Sequence, residues 1–303
     1  MRPLCFSLDN ARAVWHNKEV NRLPLATRVQ VLSALVEGNS IRATSRMTGA
    51  SKSTILRLLA DVGDACDRYL DDTMRDLTCV RVQCDEIWSF CHAKERNLKP
   101  ELRGGDWVGD LWTWVAIDAD TKLVISFVVG KRTYDFCQIF VRDLAKRVKS
   151  YVQLTTDGLG MYKENIRKAF GHRVDYGTEV KVFGIDDDEQ PDRKYSPMVV
   201  KEMRRTPVLG APDPDYITTA HVERNNLTMR MQNRRFTRLT NAFSKKAQNH
   251  YRSLAIHFMH YNFCRRHMTI KTTPAIAHGL TDRVWTLHDL ANLPDLIRGD
   301  AAA

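Results

Sequence analysis

Between residues 79 and 170 the chain changes its hydrophobic period in an order that few folds can use. The run VRVQCDEIW and the segments 111–117 and 123–129 are apolar and rich in β-branched residues, as strands are. The polar turn DADT separates the last two, so they read as a hairpin. Over 135–148 the period becomes helical through Phe136, Ile139, Phe140, Leu144 and Val148. A short strand over 151–156 then ends at Asp157-Gly158, and a further helix covers 161–170. Helices that follow strands in this order must pack on the faces of a mixed sheet.

Three strands, a helix, a strand and a helix form the opening of a ribonuclease-H-like domain. The expected fold class is therefore α/β: a ribonuclease-H-like mixed sheet with flanking helices, preceded by a small all-α helix-turn-helix domain. Residues 1–78 read as that helix-turn-helix region and its linker. Three helices are expected there, over 26–37, over 41–47 and from Ser51 onward, with 63–78 as a charged linking helix. Gly38 and Gly49 stop the first two, while Ser40 and Ser51 cap the helices that follow. The first turn of the third helix, SKSTILR, carries Lys52 and Arg57 and suits a helix end that faces base edges and phosphates. Residues 79–285 read as the catalytic domain, and 286–303 as a C-terminal tail. Residues 177–218 hold the acidic cluster IDDDEQPD and then a basic, proline-rich stretch, and read as an irregular insertion.

Composition narrows the partner. A formal net charge of +10 on 303 residues favours a polyanion, and nucleic acid is the commonest. Hydrophobic residues make up 43%, enough for a core, and no apolar run reaches membrane-spanning length. Residues 1–21 lack a secretory pattern, so a cytoplasmic protein is expected. The seven cysteines form no CxxC pair, which argues against a zinc site or a disulfide framework. Cys84, Cys91 and His92 read as buried strand residues. Between 221 and 271 eleven Arg and Lys side chains accompany one acid, Glu223, which points to a face that tracks phosphates.

The acids sit where acids are expensive. Asp85 lies inside an apolar strand, Asp157 ends another, and Glu223 stands alone near the start of a basic helix. A buried carboxylate requires compensation, and a divalent ion supplies it. Three carboxylates from three elements are enough to hold a pair of magnesium ions, with manganese able to substitute and Asp85 bridging the two.

The segments QCDEIWSF, TTDGLGMY and TAHVERNNLTMRMQNRRFTR resemble the three catalytic blocks of DDE transposases of the insertion-sequence-one type, from about residue 80 to about 285. The resemblance implies a ribonuclease-H-like fold, two divalent metals, and Asp85, Asp157 and Glu223 as catalytic metal ligands. It implies double-stranded DNA as the partner, both as transposon ends and as target, with a homo-oligomer on DNA. In such enzymes a basic residue often follows the glutamate by two helical turns, and Arg230 stands seven residues on, about 10 Å along the same helix face. Asn226 shares that face and is a candidate to orient DNA or water. Arg224, Arg234 and Arg235 complete the expected DNA-binding set. The cysteine-rich zinc module of the family's prototype has no counterpart here. A nuclease that cuts without joining, or an inactive DNA-binding regulator, is the alternative reading. His221 is a candidate phosphate contact or structural residue; His257, His260 and His267 read as packing or phosphate contacts, and Trp88, Trp112, Trp114 and Tyr162 as core.

Overall fold

The computed structural model describes residues 22–184, 199–237 and 240–300. Among the described residues there are nine α-helices and six strands. The first three helices are α1 (Leu25–Val36), α2 (Ile41–Thr48) and α3 (Lys52–Thr73). Ser40 Oγ accepts from Ala43 N and Ser51 Oγ from Thr54 N, so both expected caps are in place. Gly49 ends α2 with φ +71°, a left-handed conformation that glycine adopts without penalty. Helix α3 does not stop at a linker. It runs on for 22 residues, and its acids tie it to the rest of the chain. Asp64 accepts two bonds from Arg252 at 2.7 and 2.8 Å, Asp67 accepts from the Tyr251 hydroxyl, and Asp71 accepts from Arg147.

The sheet contains β1 (Arg81–Cys91), β2 (Gly109–Asp118), β3 (Val124–Gly130), β4 (Val152–Thr156), β5 (Val174–Gly184) and β6 (Val199–Leu209), in the order β3-β2-β1-β4-β5-β6. The first three strands are antiparallel, β4 and β5 run parallel to β1, and β6 returns antiparallel to β5. An antiparallel meander followed by parallel strands on its β1 side is the ribonuclease-H-like order. Helices α4 (Tyr134–Arg147) and α5 (Met161–Phe170) cover one face, where the Trp114 ring meets Phe140 and Tyr162. Helices α6 (Ala220–Gln232) and α7 (Ala247–Met259) cover the other, where Phe127 meets Tyr251 and Phe258. A short helix α8 (Pro274–Ala277) and α9 (Leu287–Asp300) follow.

Three boundaries differ from the sequence reading. Much of the 177–218 segment is regular: β5 and β6 pair from Tyr176↔Leu209 to Gly184↔Val199, while the acidic cluster at 185–192 lies outside the described residues. Pro207 is tolerated because β6 is the edge strand and needs no donor on its outer side. The supposed tail is α9, which packs on α1 and α3 through Leu290, Ala291 and Leu293. The N-terminal helices also have no core of their own. One buried cluster runs from Val31 through the sheet to Leu293. Where α3 meets α7, Gly63 faces Arg252, whose Cβ would lie 2.6 Å from a Cβ added at the glycine. Among the described residues no helix is long and apolar enough to cross a membrane.

Candidate active site

Strand alternation sorts the β1 side chains onto two faces. Gln83 and Asp85 turn toward α6, while Cys84 and Glu86 turn toward α5. Gln83 Oε1 accepts from the backbone N of His221 and Val222 at 2.8 and 3.1 Å, which pins the start of α6 on the sheet. The parallel register of β1 and β4 ends with Gln83 beside Thr155. Two residues further along both chains stand Asp85 and Asp157. The fold thus sets the first two acids side by side, and α6 lays the third across the same edge.

The geometry of each acid is distinct. Asp85 Oδ2 accepts from Asn226 Nδ2 at 2.8 Å. Asp157 uses one oxygen to accept from Leu159 N at 3.0 Å and turns the other toward Arg132, at 3.7 Å. Glu223 is 43% exposed and is held by the Thr219 hydroxyl at 2.7 Å and by the Lys181 ammonium from β5. Burial, together with the charges of Asp157 and Glu223, pushes the Asp85 carboxyl up to about 6, against the pull of the Glu86 backbone and Asn226.

Other buried sheet acids show how this protein normally neutralises a carboxylate. Glu86 accepts from Arg132 at 2.7 Å and from the Tyr162 hydroxyl at 3.1 Å. Glu179 accepts from Arg205, Thr218 and Thr219, and Asp118 from Thr121 and the backbone of Asp120, with His278 at 3.3 Å. Asp85 differs. Among the described residues no Lys or Arg stands within ion-pair distance of it, and its neighbours are two further acids. Asn226 is buried, and its Oδ1 has no hydrogen-bond partner. Hard oxygen donors that repel one another, beside an unsatisfied amide oxygen, suit magnesium or manganese.

The acids are not drawn into a tight ligand set. Among the described residues the one group of three metal-capable side chains with ligand atoms within 4.8 Å of one another is Cys79, Asp118 and His278. That group mixes soft and hard donors, and Asp118 is already hydrogen-bonded, so it does not suit magnesium. Cys84 and Cys91 are buried on β1, apart from any such group.

The expected DNA-binding residues divide. Lys52 and Arg57 are exposed at the start of α3, and Arg224 is exposed on α6; Arg230 and Arg234 are half-buried. Arg235 is turned inward and donates to Ser244 Oγ at 2.8 Å; burial lowers its pKa to about 10. Asn226 serves the Asp85 carboxylate, where the sequence reading gave it to DNA or water. The basic run also loses Arg252 to Asp64 and Arg265 to Gln232. Counting charges along the chain missed partners that lie far away in sequence.

Three residues at this edge have no functional role in the sequence reading. Arg132 follows β3 and packs 4.8 Å above the Trp112 ring while it bonds Glu86. Glu86 adjoins Asp85 in sequence, yet burial and the charges of Asp157 and Asp85 push its carboxyl up to about 7, against Arg132. Lys181 reaches Glu223 from a strand that the sequence left irregular. His257 and His260 are enclosed, and burial lowers them to about 3 and about 4, which fits packing.

No protein-family model matches the chain, and no curated protein does. Similar solved structures include a Mos1 strand transfer complex, at 15% identity and a TM-score of 0.20, over 50% of this chain and 56% of that one. A Mos1 transposase paired-end complex with left transposon end has 15% identity and a TM-score of 0.18, over 51% and 57%. A Mos1 mariner paired end complex with Mn has 15% identity and a TM-score of 0.19, over 53% and 60%. The chain spans between 56% and 60% of the length of these matched chains.

Proposed function

We propose that this chain is a DNA transposase that cleaves transposon ends and joins them to target DNA at a divalent-metal site formed by Asp85, Asp157 and Glu223. The observation that supports this most is the contrast among buried acids. Among the described residues the buried sheet carboxylates Glu86, Asp118 and Glu179 each have a positively charged or hydroxyl partner, whereas half-buried Asp85 has the Asn226 amide, the Glu86 backbone and two repelling carboxylates. A bound cation relieves that repulsion.

Asp85, Asp157 and Glu223 would hold the ions, and Asn226 keeps Asp85 oriented for them. Magnesium, or manganese in its place, activates an attacking oxygen and stabilises the leaving one when bound. Arg132, fixed by Glu86 and Trp112 beside Asp157, is placed to hold a phosphate oxygen of the strand at the site. Lys181 exchanges Glu223 for a phosphate when a cation takes the carboxylate. The exposed ends of Lys52 and Arg57 on α3, with Arg224, Arg230 and Arg234 of α6 and the turn after it, track the DNA backbone. Water is the first nucleophile and the released 3′-hydroxyl is the second, so no protein–DNA covalent link is required. Two ends must be held together, which calls for a homo-oligomer on DNA.

The test is magnesium-dependent cleavage of the inverted repeats that flank the gene, followed by strand transfer of precut ends into a plasmid. Asp157→Ala should bind end DNA as the wild type does and lose cleavage. Unchanged cleavage by that variant overturns the assignment, and cleavage without joining reduces it to a nuclease.

A further inference from the structure

We propose that a second DNA subsite lies beside the acids: a cleft that seats one backbone phosphate of the strand being cut, through Lys122, Arg81 and His221. This rests on the DNA-cleaving reading above and adds a contact to it.

The cleft encloses about 170 Å³, and its walls include Arg81, Gln83, Lys122, Thr155, Tyr216 and His221. Its position follows from the strands. Gln83, Thr155 and His221 each precede one of the three acids by two residues. On a strand two residues span roughly 6–7 Å and return to the same face. The cleft is therefore the next station along the sheet from Asp85 and Asp157, on the face that α6 covers. A DNA strand whose scissile phosphate lies at the acids carries a neighbouring phosphate to this distance.

The charges inside are arranged for an anion. Arg81 lies 4.1 Å above the Tyr216 ring and satisfies Asp120 through its Nε and Nη2 atoms, so the one acid of the cleft wall is neutralised. Lys122 is only 8% exposed. Its ammonium donates to the Ala119 carbonyl and lies 3.2 Å from His221 Nε2. Among the described residues no carboxylate stands within ion-pair distance of it. A buried ammonium held directly by a carbonyl and an imidazole, with Asp120 and Asp118 acting on it only from beyond ion-pair distance, has room for one more close partner, and a phosphate oxygen would supply it.

The backbone gives an independent sign. Lys122 has φ +64°, a left-handed conformation in the turn between β2 and β3. Glycine or asparagine adopts that conformation with less strain, and strained non-glycine residues gather at functional sites. A lysine held there delivers its amine to the cleft.

The same backbone preference supplies a clean variant. Lys122→Asn suits the left-handed turn and removes the ammonium together with the stem that carries it into the cleft. The full chain should be titrated with a short DNA duplex over a series of salt concentrations without divalent metal, with a thermal melt as the fold control. Wild-type log affinity should fall linearly with log salt, and the Lys122→Asn slope should be shallower by about one, as one lost phosphate contact requires. Single methylphosphonate substitutions along the duplex should weaken the wild type at one position near the cut that no longer matters to the variant. A variant with an unaltered melt, slope and methylphosphonate profile overturns the subsite. Asp157→Ala, run alongside, should keep the full slope and the full profile. If it also keeps cleavage, the metal-site reading fails while the subsite result still stands on binding alone.

Discussion

Asn226 Nδ2 donates to Asp85 Oδ2 at 2.8 Å, joining the first turns of α6 to the middle of β1 across 141 residues of sequence. The bond fixes the rotamer of the carboxylate that has no cation beside it. Asn226→Ala removes that orientation without altering any surface that faces DNA. Magnesium-dependent cleavage should fall by about 10- to 100-fold, the usual effect of losing a residue that orients a metal ligand, while affinity for end DNA measured without metal stays constant. A matching loss of DNA affinity would show that Asn226 contacts DNA instead.

Lys181 holds both oxygens of Glu223, so at the proposed metal site it would compete with a cation for that carboxylate. Lys181→Ala removes the competitor. The magnesium concentration for half-maximal cleavage should drop several-fold in this variant, with the maximal rate lower because a phosphate contact is lost. A rise in the magnesium requirement would mean that Lys181 holds Glu223 in the ligand position rather than away from it.

These two contacts mark where sequence reading stops. The elements were legible because their periods differ: β1 to β4 and α4 to α6 fall within a few residues of where alternation and helical spacing put them. The caps at Ser40 and Ser51 were legible because capping is local. Asp85, Asp157 and Glu223 could be picked out as odd in their own surroundings. What compensates a charge is not local. Arg132 meets Glu86 across 46 residues, Lys181 meets Glu223 across 42, and Arg252 meets Asp64 across 188. Hence Arg132 and Lys181 go unseen, Arg235 turns inward to Ser244, and Arg252 is tied to Asp64 of α3 rather than left for DNA. The β5–β6 ribbon was hidden for a related reason. Its β6 half, VVKEMRRTPVL, is an edge strand with mostly exposed side chains, so it lacks the alternation that betrays a half-buried strand.

Asp67 offers a test of the α3–α7 contact that is remote from the acids. Burial pushes its carboxyl up to about 6 from an ordinary 3.8, helped by the charges of Asp71 and Asp64 and opposed by the Tyr251 hydroxyl. Between about pH 4 and pH 6 the folded chain therefore holds a proton that the unfolded chain has released. The contribution of this group to stability falls as pH rises through that window and is level above it. The Asn side chain keeps an acceptor for Tyr251 and does not ionise. Denaturant melts of the wild type and Asp67→Asn should diverge from pH 4 to pH 7 in favour of the variant, by at most roughly 3 kcal/mol. A constant difference across that range would mean that Asp67 titrates alike in both states.

Helix α9 should be part of the cooperative fold rather than an appendage. Arg28 of α1 donates to the Ala291 carbonyl at 2.8 Å, and Leu290 is fully buried where α9 packs on α1 and α3. Leu290→Ala should lower global stability by about 2–5 kcal/mol, the range for a leucine removed from a closed core. Because α1, α3, α7 and α9 share one buried cluster with the sheet, the loss should appear as a single shifted transition. Hydrogen exchange should then show α1 and β1 losing protection together. If α1 to α3 loosen while the sheet keeps its protection, the N-terminal helices form a separate unit and α9 stabilises only that unit.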